Sequence, residues 1–485
     1  MLFILAIDQG TSSTRALVMD ENGEIIAVSQ RAFRQIYPKS GWVEHNPLEI
    51  IKTVDECVNE VVEKANIDFS DVVAIGITNQ RETTVVWNKK TGEPLYNAIV
   101  WQCRRTAKRC QELKKAGYTQ LIKEKTGLPI DPYFSATKIE WLLKNVDSVR
   151  TALNKGELIV GTIDSFLTYS LTREKKHFTD VTNASRTMIF NIKELDWDEE
   201  LLEVFEIPKE ILPEVKESVE FFGTSKYGPP IYSILGDQQA ALFGQMCFNE
   251  GMVKSTYGTG AFVLANTGEK IVSSKNLITT IGWKIGGRVN YALEGSIFNC
   301  GTLVEWAKQI GLIENPDQTE KLARSINDAE NVYFVGAFTG LGAPHWDPDA
   351  RGLFIGMTRG TRKEHLVRAI LESIAYSITE VIDIMIDECD LGIKELRVDG
   401  GVSKNNFVMQ LQADLLNVKV SRPKNMESTA LGAAISAGLK TGIWNFEDLE
   451  KLRKVDREFL PINNESLIDK YMKWKKAVER SKNWQ

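Results

Sequence analysis

The 485-residue chain has few cysteines, no long apolar run and no excess of positive charge. Its six cysteines are scattered without a Cys-x-x-Cys pair, so we expect reduced thiols in a cytoplasmic protein. No apolar stretch approaches the roughly 20 residues of a membrane helix, which predicts a soluble chain without membrane insertion. The net charge of −6 comes without a basic block, which argues against nonspecific nucleic-acid binding.

Two common nucleotide motifs are also missing. The sequence contains neither Gly-x-x-x-x-Gly-Lys-Ser/Thr nor Gly-x-Gly-x-x-Gly, so neither a P-loop nor a dinucleotide site is predicted. Residues 1–7 are apolar but too short for the core of a signal peptide, and we interpret them as a buried strand. The histidines are far apart and fit no metal pattern, so we interpret them as surface or packing residues: His45, His177, His345 and His365.

A strand, a turn rich in hydroxyl groups and a second strand occupy residues 2–20. Asp8 ends the first strand, Gly10 permits close backbone approach, and the hydroxyl residues 11–13 offer donors to phosphate. An edge hairpin without a ligand has the same pattern, so the segment alone leaves both interpretations open. A second strand–Gly-Thr-Gly–strand hairpin at 255–264 favours the phosphate interpretation, since two such hairpins suit a phosphate clamp between two lobes.

Strand and helix patterns recur in outline in both halves of the chain. Asn46 is predicted to cap an amphipathic helix, and strands at 72–78 and 83–87 follow it. The second half contains a long helix from about Lys363 and another strand–glycine turn–helix pattern at 395–406. This weak duplication predicts an α/β fold of two lobes, with a boundary near residues 244–251.

Several further motifs resemble those of the glycerol kinases, within the sugar-kinase branch of the actin/hexokinase-like ATPase superfamily. The resemblance extends to about residue 445 and is carried by these segments: Gly76–Thr83 with Arg81-Glu82, Trp101–Arg104, Tyr133–Lys138, Gly236–Ala241, Thr339–Pro344 and Arg397–Gly401.

The resemblance implies two actin-like, ribonuclease-H-like lobes with a nucleotide cleft between them. The expected domains are a glycerol-binding lobe at 1–246, a nucleotide-binding lobe at 247–445 and a helical tail at 446–485. Residues 294–302 and 428–438 are interpreted as crossings between the lobes. Small residues along 428–438 are equally typical of tight helix packing, so that interpretation stays open.

The implied reaction is transfer of the ATP γ-phosphate to glycerol, with Mg²⁺ near Asp8 and Asp237. Asp237 is expected to act as the catalytic base, although an N-cap of the following helix would explain an aspartate there equally well. The expected substrate-binding residues are Arg81, Glu82, Trp101, Tyr133, Asp237, Gln238 and Phe262. The expected nucleotide-binding residues are Thr11, Ser12, Ser13, Arg15, Thr259, Gly301, Glu305, Gly401 and Asn405.

Some of these residues have ordinary structural alternatives. Arg15 fits a solvated strand charge, and Phe262 fits core packing as well as a substrate wall. Glu305 stands where relatives commonly carry glutamine near the adenine, which changes the hydrogen-bond polarity. Residues 223–230 lack the longer basic loop linked to fructose-bisphosphate inhibition, and no regulatory histidine is present, so we expect neither mode of control.

The alternative function within the family is phosphorylation of another small polyol or ketose. The bulky indole of Trp101 argues against a longer acceptor. An actin- or chaperone-type ATPase is the alternative from another class, but it would need a separate partner-binding segment. Beyond residue 445 we find only a short charged helical pattern at 467–482. We expect a homodimer or homotetramer.

Overall fold

The computed structural model describes residues 1–462 and 466–484. The strands are β1 Phe3–Gln9, β2 Ser13–Asp20, β3 Ile25–Ala32, β4 Glu44–His45, β5 Val72–Asn79, β6 Thr84–Asn88, β7 Ala98–Ile99, β8 Leu158–Thr162, β9 Phe178–Asp180, β10 Phe190–Asn191, β11 Asp196–Trp197, β12 Glu214–Lys216, β13 Gly223–Thr224, β14 Pro230–Gly236, β15 Val253–Tyr257, β16 Ala261–Gly268, β17 Ile278–Ile285, β18 Arg288–Ile297, β19 Tyr333–Val335, β20 Leu353–Ile355, β21 Glu395–Asp399, β22 Lys419–Pro423 and β23 Val455–Phe459.

The helices are α1 Pro47–Ala65, α2 Ala107–Lys115, α3 Thr119–Thr126, α4 Ala136–Asn145, α5 Asp147–Asn154, α6 Ile163–Leu171, α7 Val181–Ala184, α8 Glu199–Phe205, α9 Asp237–Gly244, α10 Gly301–Gln309, α11 Gln318–Arg324, α12 Lys363–Asp387, α13 Asn406–Leu416, α14 Ser428–Thr441, α15 Phe446–Leu452 and α16 Ser466–Ser481. Among the described residues, no helix combines the length and the apolar character needed to cross a bilayer. The fold is mixed α/β, as predicted.

The chain divides into two compact units. The first comprises residues 1–246, 279–291 and 428–452. Its main sheet has the order β13-β14-β5-β1-β2-β3, in which β1 runs antiparallel to β2 and parallel to β5. The apolar side chains of β1 are buried, since this strand lies inside the sheet. A second sheet has the order β4-β7-β6-β8.

Helix α1 covers this main sheet and begins where the sequence predicts. The Asn46 side chain accepts a hydrogen bond from the amide of Leu48 at 3.0 Å, and Pro47 occupies the first helical position. The buried face of the helix includes Ile50, Val54 and residues one or two turns further on. The spacing of these apolar residues therefore gave the helix and its buried face correctly.

Helix α14 also packs on the first unit. A Cβ built on Gly432 would overlap the carbonyl of Ala240 in α9, and one built on Gly76 of β5 would overlap the carbonyl of Ala433. The small residues of α14 thus permit backbone-to-backbone contact with a sheet and a neighbouring helix. Tight helix packing, one of the two interpretations of residues 428–438, is what the contacts within this unit display.

The second unit comprises residues 247–278, 292–427 and 453–485. Its sheet contains β16-β15-β21-β22-β23 in this order, with β15 antiparallel to β16 and parallel to β21. The 25-residue helix α12 buries apolar residues such as Ile370, Ile374 and Ile378 in the core of this unit.

The two observed units differ from the three contiguous domains predicted from the sequence, because each unit combines separate stretches of the chain. Residues 279–291 lie with the first unit, where the amide of Thr279 donates to the carbonyl of Gly127 at 3.1 Å. Residues 428–452 do so as well, because α14 packs on β5 and the Trp444 indole donates to the carbonyl of Glu21 at 3.0 Å. These contacts are distant in sequence, so chain order alone does not reveal them.

Candidate active site

The predicted catalytic residues of the first unit lie at the ends of two neighbouring parallel strands. Strands β5 and β14 are paired so that Asn79 lies opposite Gly236. The residues that follow these strands therefore meet at one edge of the sheet. There the Arg81 Nε lies 3.1 Å from Asp237 Oδ1, and Arg81 Nη1 donates to Gln239 Oε1 at 3.1 Å.

Asp237 is the first residue of α9, and the N-cap position belongs to Gly236. Its Oδ1 accepts a hydrogen bond from the amide of Gln238 at 2.7 Å. The N-terminus of α9 and the Arg81 guanidinium both favour the charged carboxylate. The Asp237 side chain is 27% exposed, whereas that of Arg81 is 2% exposed, so a ligand can reach the carboxylate from the surface of this unit.

Glu82 occupies an unusual backbone conformation next to Arg81. Its φ of 60° lies in the left-handed region, and the tight turn is closed by a 2.7 Å hydrogen bond from the amide of Thr83 to the carbonyl of Arg81. The Glu82 carboxylate is almost fully buried and accepts from Arg186 Nε at 2.7 Å. No motif in the sequence indicates Arg186.

Trp101 and Tyr133 form an edge-to-face aromatic pair with centroids 5.4 Å apart. The indole nitrogen of Trp101 donates to Thr11 Oγ1 at 2.9 Å. Lys138 is fully buried and donates to the carbonyl of Tyr133 at 2.6 Å, and burial lowers its pKa to about 8. The bond from Trp101 to Thr11 thus joins a residue expected to contact the acceptor to a residue expected to contact phosphate.

The first hairpin closes through the amide of Gly10, which donates to the carbonyl of Ser13 at 3.0 Å. Asp8 lies opposite Arg15 in the register of β1 and β2. Arg15 Nη2 donates to Gln30 Oε1 at 3.1 Å, and Gln30 Nε2 donates to Ser13 Oγ at 2.8 Å. Ser12, at the tip of the turn, is exposed.

The Asp8 carboxyl is electrostatically tied to Asp237. Burial raises its pKa to about 7, Arg15 opposes that rise and the negative charge of Asp237 adds to it. Mg²⁺ is typically held by one or two carboxylates together with phosphate oxygens and waters, so this donor set fits the ion. Among the described residues, no cluster of three or more His, Cys, Asp or Glu side chains would hold a metal without such a ligand.

In the second unit, the Gly-Thr-Gly turn at 258–260 lies against the start of α10. The amide of Gly301 donates to the carbonyl of Gly258 at 2.8 Å, and the amide of Cys300 donates to the carbonyl of Thr259 at 2.9 Å. A Cβ on Gly301 would come within 2.7 Å of the Gly258 carbonyl. Glycine is therefore required at this close approach.

The glycine turn at 400–401 follows β21, which pairs in parallel with β15 so that Asp399 lies opposite Thr256. Gly400 has a φ of +86° and packs on the backbone of Tyr257. A Cβ on Gly401 would meet nothing within 4 Å. The structure thus brings Thr259, Gly301 and Gly401 together around the carboxyl ends of β15 and β21.

Three more predicted residues belong to the second unit. Asn405 caps α13, because its Oδ1 accepts from the amide of Phe407 at 3.0 Å, and its Nδ2 donates to Thr319 Oγ1 at 3.1 Å. Glu305 lies one turn beyond Gly301 on α10. Phe262 is half-buried on β16. The role of Asn405 in reading adenine stays a prediction.

The predicted residues thus form one group in each unit. The first unit contains Asp8, Thr11, Ser12, Ser13, Arg15, Arg81, Glu82, Trp101, Tyr133, Asp237 and Gln238, and the second contains Thr259, Phe262, Gly301, Glu305, Gly401 and Asn405. Arg186 has no local signal, since it lies between small and apolar residues 104 positions from its partner. A fully buried arginine is recognisable only once its surroundings are known.

Two family models match the chain. The N-terminal domain of the FGGY family of carbohydrate kinases matches residues 3–244, and the C-terminal domain of that family matches residues 253–441.

The chain is 54% identical to glycerol kinase 2 of Thermotoga maritima over 494 aligned residues, which cover 100% of both chains. The solved structure of Plasmodium falciparum glycerol kinase with ADP is 39% identical, with a TM-score of 0.93, and covers 99% of this chain and 98% of that one. Ligand-bound xylulose kinase of Lactobacillus acidophilus is 25% identical, with a TM-score of 0.86, and covers 99% and 97% respectively. The chain therefore belongs to the FGGY family of carbohydrate kinases.

Proposed function

We propose that this chain is an ATP:glycerol 3-phosphotransferase, which converts glycerol and ATP to sn-glycerol 3-phosphate and ADP. The observation that carries the proposal is the cluster of Arg81, Glu82 and Asp237, in which a surface-accessible carboxylate is hydrogen-bonded to a buried guanidinium. The likeness to proteins named glycerol kinases, over the whole chain, supports glycerol as the acceptor.

The acceptor is proposed to bind between polar and aromatic groups of the first unit. Glu82 accepts from hydroxyl groups of glycerol, and the guanidinium of Arg81 donates to their oxygens. Trp101 and Tyr133 contact the CH₂ face, and their edge-to-face packing supports a rigid wall. Gln238 completes the proposed set in this unit. In the second unit, Phe262 is proposed as an apolar contact for the acceptor.

Asp237 is proposed to accept the proton of the terminal hydroxyl as the bond from that oxygen to the γ-phosphorus forms. The bond between the γ-phosphorus and the bridging oxygen breaks, and ADP leaves. The hydrogen bond from Arg81 Nε supports this role, because it fixes the carboxylate while leaving it 27% exposed. An N-cap role alone does not account for the arginine.

Asp8 and Asp237 are proposed to hold Mg²⁺ together with phosphate oxygens and waters. When bound, the ion neutralises charge that develops on the phosphates. The mutual repulsion of the two carboxylates supports this assignment, since a cation relieves it.

In the first unit, the hydroxyl turn at residues 11–13 is proposed to contact phosphate. In the second unit, Thr259 is proposed to contact phosphate. Arg15 contributes charge, and Gly301, Gly401 and Asn405 bind the nucleoside. Glu305, on the same face as Gly301 after one helical turn, is proposed to meet the adenine or ribose as an acceptor. The close main-chain contacts of the glycine turns near Thr259 in the second unit support this nucleotide assignment.

We further propose that the enzyme acts in the cytoplasm as a homodimer or homotetramer. The six cysteines are free thiols, which supports a reducing compartment. Light scattering after size-exclusion chromatography measures the oligomeric state, and a monomer at all concentrations would contradict that part of the proposal.

A substrate panel tests the proposed reaction. Glycerol, dihydroxyacetone, xylulose and gluconate are compared at equal ATP, with ADP release as the readout. We expect kcat/KM to be highest for glycerol by at least about tenfold, because Trp101 limits the length of the acceptor. A preference for xylulose would favour a pentulose kinase, as the likeness to a xylulose kinase allows. ADP release independent of any acceptor would favour an ATPase.

A further inference from the structure

Arg186 is a fully buried cation that contacts two residues of the proposed acceptor site. Its Nε donates to Glu82 Oε1 at 2.7 Å, and both side chains are at most 2% exposed. Its guanidinium carbon also lies 5.6 Å from the ring centroid of Tyr133. It lies 5.4 Å from the ring centroid of Phe134 as well. A buried cation needs such complementary surroundings, and Glu82 with these rings supplies part of them.

Glu82 depends on this contact more than on its neighbour in sequence. Arg81 Nε lies 3.9 Å from Glu82 Oε1, beyond hydrogen-bonding distance, and instead bonds to Asp237. Arg81 Nε thus contacts Asp237, and Arg186 Nε contacts Glu82. The left-handed backbone of Glu82 adds strain, which the surrounding contacts must offset.

The segment that carries Arg186 also supports the turn before Asp237. Thr182 Oγ1 accepts from the amide of Gly236 at 2.9 Å and donates to Asp180 Oδ1 at 2.8 Å. Asp180 in turn accepts from the amide of Asn183 at 3.0 Å. Residues 180–186, all buried, therefore anchor both the Glu82 turn and the start of α9.

A further link runs from this segment to the strand end before Arg81. Asn183 and Asn79 exchange two side-chain hydrogen bonds, of 2.9 and 3.2 Å. Asn79 Nδ2 also donates to the carbonyl of Gln80 at 2.9 Å. Residues 180–186 are thus linked by hydrogen bonds to the chain just before Arg81 and just before Asp237. Within this segment, Arg186 contacts Glu82, which is proposed to bind the acceptor.

We infer that Arg186 is a positioning residue for the acceptor: through its bond to Glu82, it fixes the orientation and the negative charge that the glycerol hydroxyls meet. The inference rests on the proposed function and extends it to a residue that does not itself touch glycerol. Loss of Arg186 then weakens acceptor binding through Glu82, and binding of ATP is unaffected.

A double-mutant cycle in the full-length enzyme tests this role. Arg186→Met, Glu82→Gln and the double variant are compared for kcat, glycerol KM and ATP KM. Arg186→Met is expected to raise the glycerol KM by about 100-fold in the wild-type background, because it leaves a buried carboxylate without its guanidinium. In the Glu82→Gln background, Arg186→Met is expected to raise the glycerol KM by less than about fivefold. Equal effects in both backgrounds would overturn the inference.

Arg105→Met is the matched control. The Arg105 side chain is also fully buried, bonds to Glu44 Oε1 at 2.6 Å and lies 3.9 Å from the Trp42 ring centroid. Arg105→Met is expected to lower the melting temperature, as Arg186→Met does. Its glycerol KM is expected to stay within about twofold of the wild-type value. A glycerol KM that shifts equally in both arginine variants would show a general stability effect and would contradict a positioning role.

Arg186→Lys covers the case in which Arg186→Met does not fold. Lysine keeps the charge but lacks the planar fork, so the glycerol KM is expected to rise about tenfold while the ATP KM stays unchanged. A wild-type glycerol KM in this variant would overturn the inference. Should the wild type not phosphorylate glycerol at all, the proposed function fails, and the cycle is measured with the panel acceptor that it does phosphorylate.

Discussion

The residues proposed to bind ligands differ in kind between the two units. In the first unit, the group around Asp237 consists of charged and aromatic side chains, several of them buried and bonded to one another. In the second unit, the group around Thr259 consists largely of glycine turns whose main chains are in close contact. Function in the first unit should therefore respond to charge and hydrogen bonding, and function in the second to added volume.

The largest effect is expected from Asp237→Asn in the first unit. The amide keeps the shape but does not accept the hydroxyl proton, so kcat should fall by at least about 100-fold while the glycerol KM stays near the wild-type value. Steady-state ADP release measures both. Asp198→Asn is the matched control: Asp198 also lies at the start of a helix and pairs with a cation, Lys125, at 2.9 Å. It lies outside the proposed site, so kcat should be unchanged. A wild-type kcat in Asp237→Asn would exclude the base assignment.

An effect on stability is expected from His45, which lies in the hydrogen-bond network beneath the first hairpin. Its Nε2 donates to Gln35 Oε1 at 2.7 Å, which sets Nδ1 as the acceptor facing Gln80, and burial lowers its pKa to about 4. Since the unfolded chain binds this proton below pH 6.5 and the folded one does not, stability falls as the pH drops from 6.5 to 4. At pH 5 the loss is about 2 kcal/mol.

Urea unfolding followed by tryptophan fluorescence at pH 7.5 and 5.0 measures this loss. His45→Gln should lose about 2 kcal/mol less than the wild type over that interval. Some acid sensitivity should remain, because His177 has a pKa that burial also lowers to about 4. Identical losses in the wild type and the variant would mean that His45 is already protonated in the folded protein or does not contribute.

A smaller effect is expected from Gly401→Ala in the second unit. A methyl group there meets no protein atom within 4 Å, so the fold should be unaffected, but it would occupy space proposed for the nucleoside. The ATP KM should rise about tenfold, with the glycerol KM unchanged.

Gly392→Ala is the control for added volume in the same unit, since its methyl group also meets nothing within 4 Å. We expect wild-type kinetics from it. An unchanged ATP KM in Gly401→Ala would move the nucleoside away from this turn and weaken the contrast between the units.

The smallest effect is expected from Trp101→Phe. The ring is retained, but the 2.9 Å hydrogen bond to Thr11 Oγ1 is lost, so kcat/KM for ATP should fall about three- to tenfold. Trp197→Phe removes a comparable buried indole bond, to the carbonyl of Pro213, and should leave both KM values unchanged. A change confined to the glycerol KM would show that Trp101 acts on the acceptor alone.

The sequence predicted local structure and residue types well. Asn46 and the apolar residues after it predicted α1, and the strand predicted at 72–78 lies within the observed Val72–Asn79. The motifs around Arg81 and Asp237 indicated the family, although nothing local indicates that β5 and β14 are neighbours. That adjacency is what joins the guanidinium to the carboxylate.

What the sequence did not reveal depends on contacts between distant segments. The bond of Arg186 to Glu82 spans 104 residues, and the bond of Trp101 to Thr11 spans 90. Residues 428–438 contain small residues that suit either a crossing or close packing. The contacts of Ala433 with Gly76 and of Gly432 with Ala240 reveal which surfaces they meet. Periodicity describes which face of a helix is buried but not the partner of that face.

Phosphorus NMR of the wild-type enzyme with ATP, Mg²⁺ and glycerol tests the central claim most directly. We predict that a glycerol phosphomonoester resonance grows in step with ADP and that neither forms at a comparable rate without glycerol. Growth of inorganic phosphate in place of the phosphomonoester, at the same rate with and without glycerol, would contradict the proposed function.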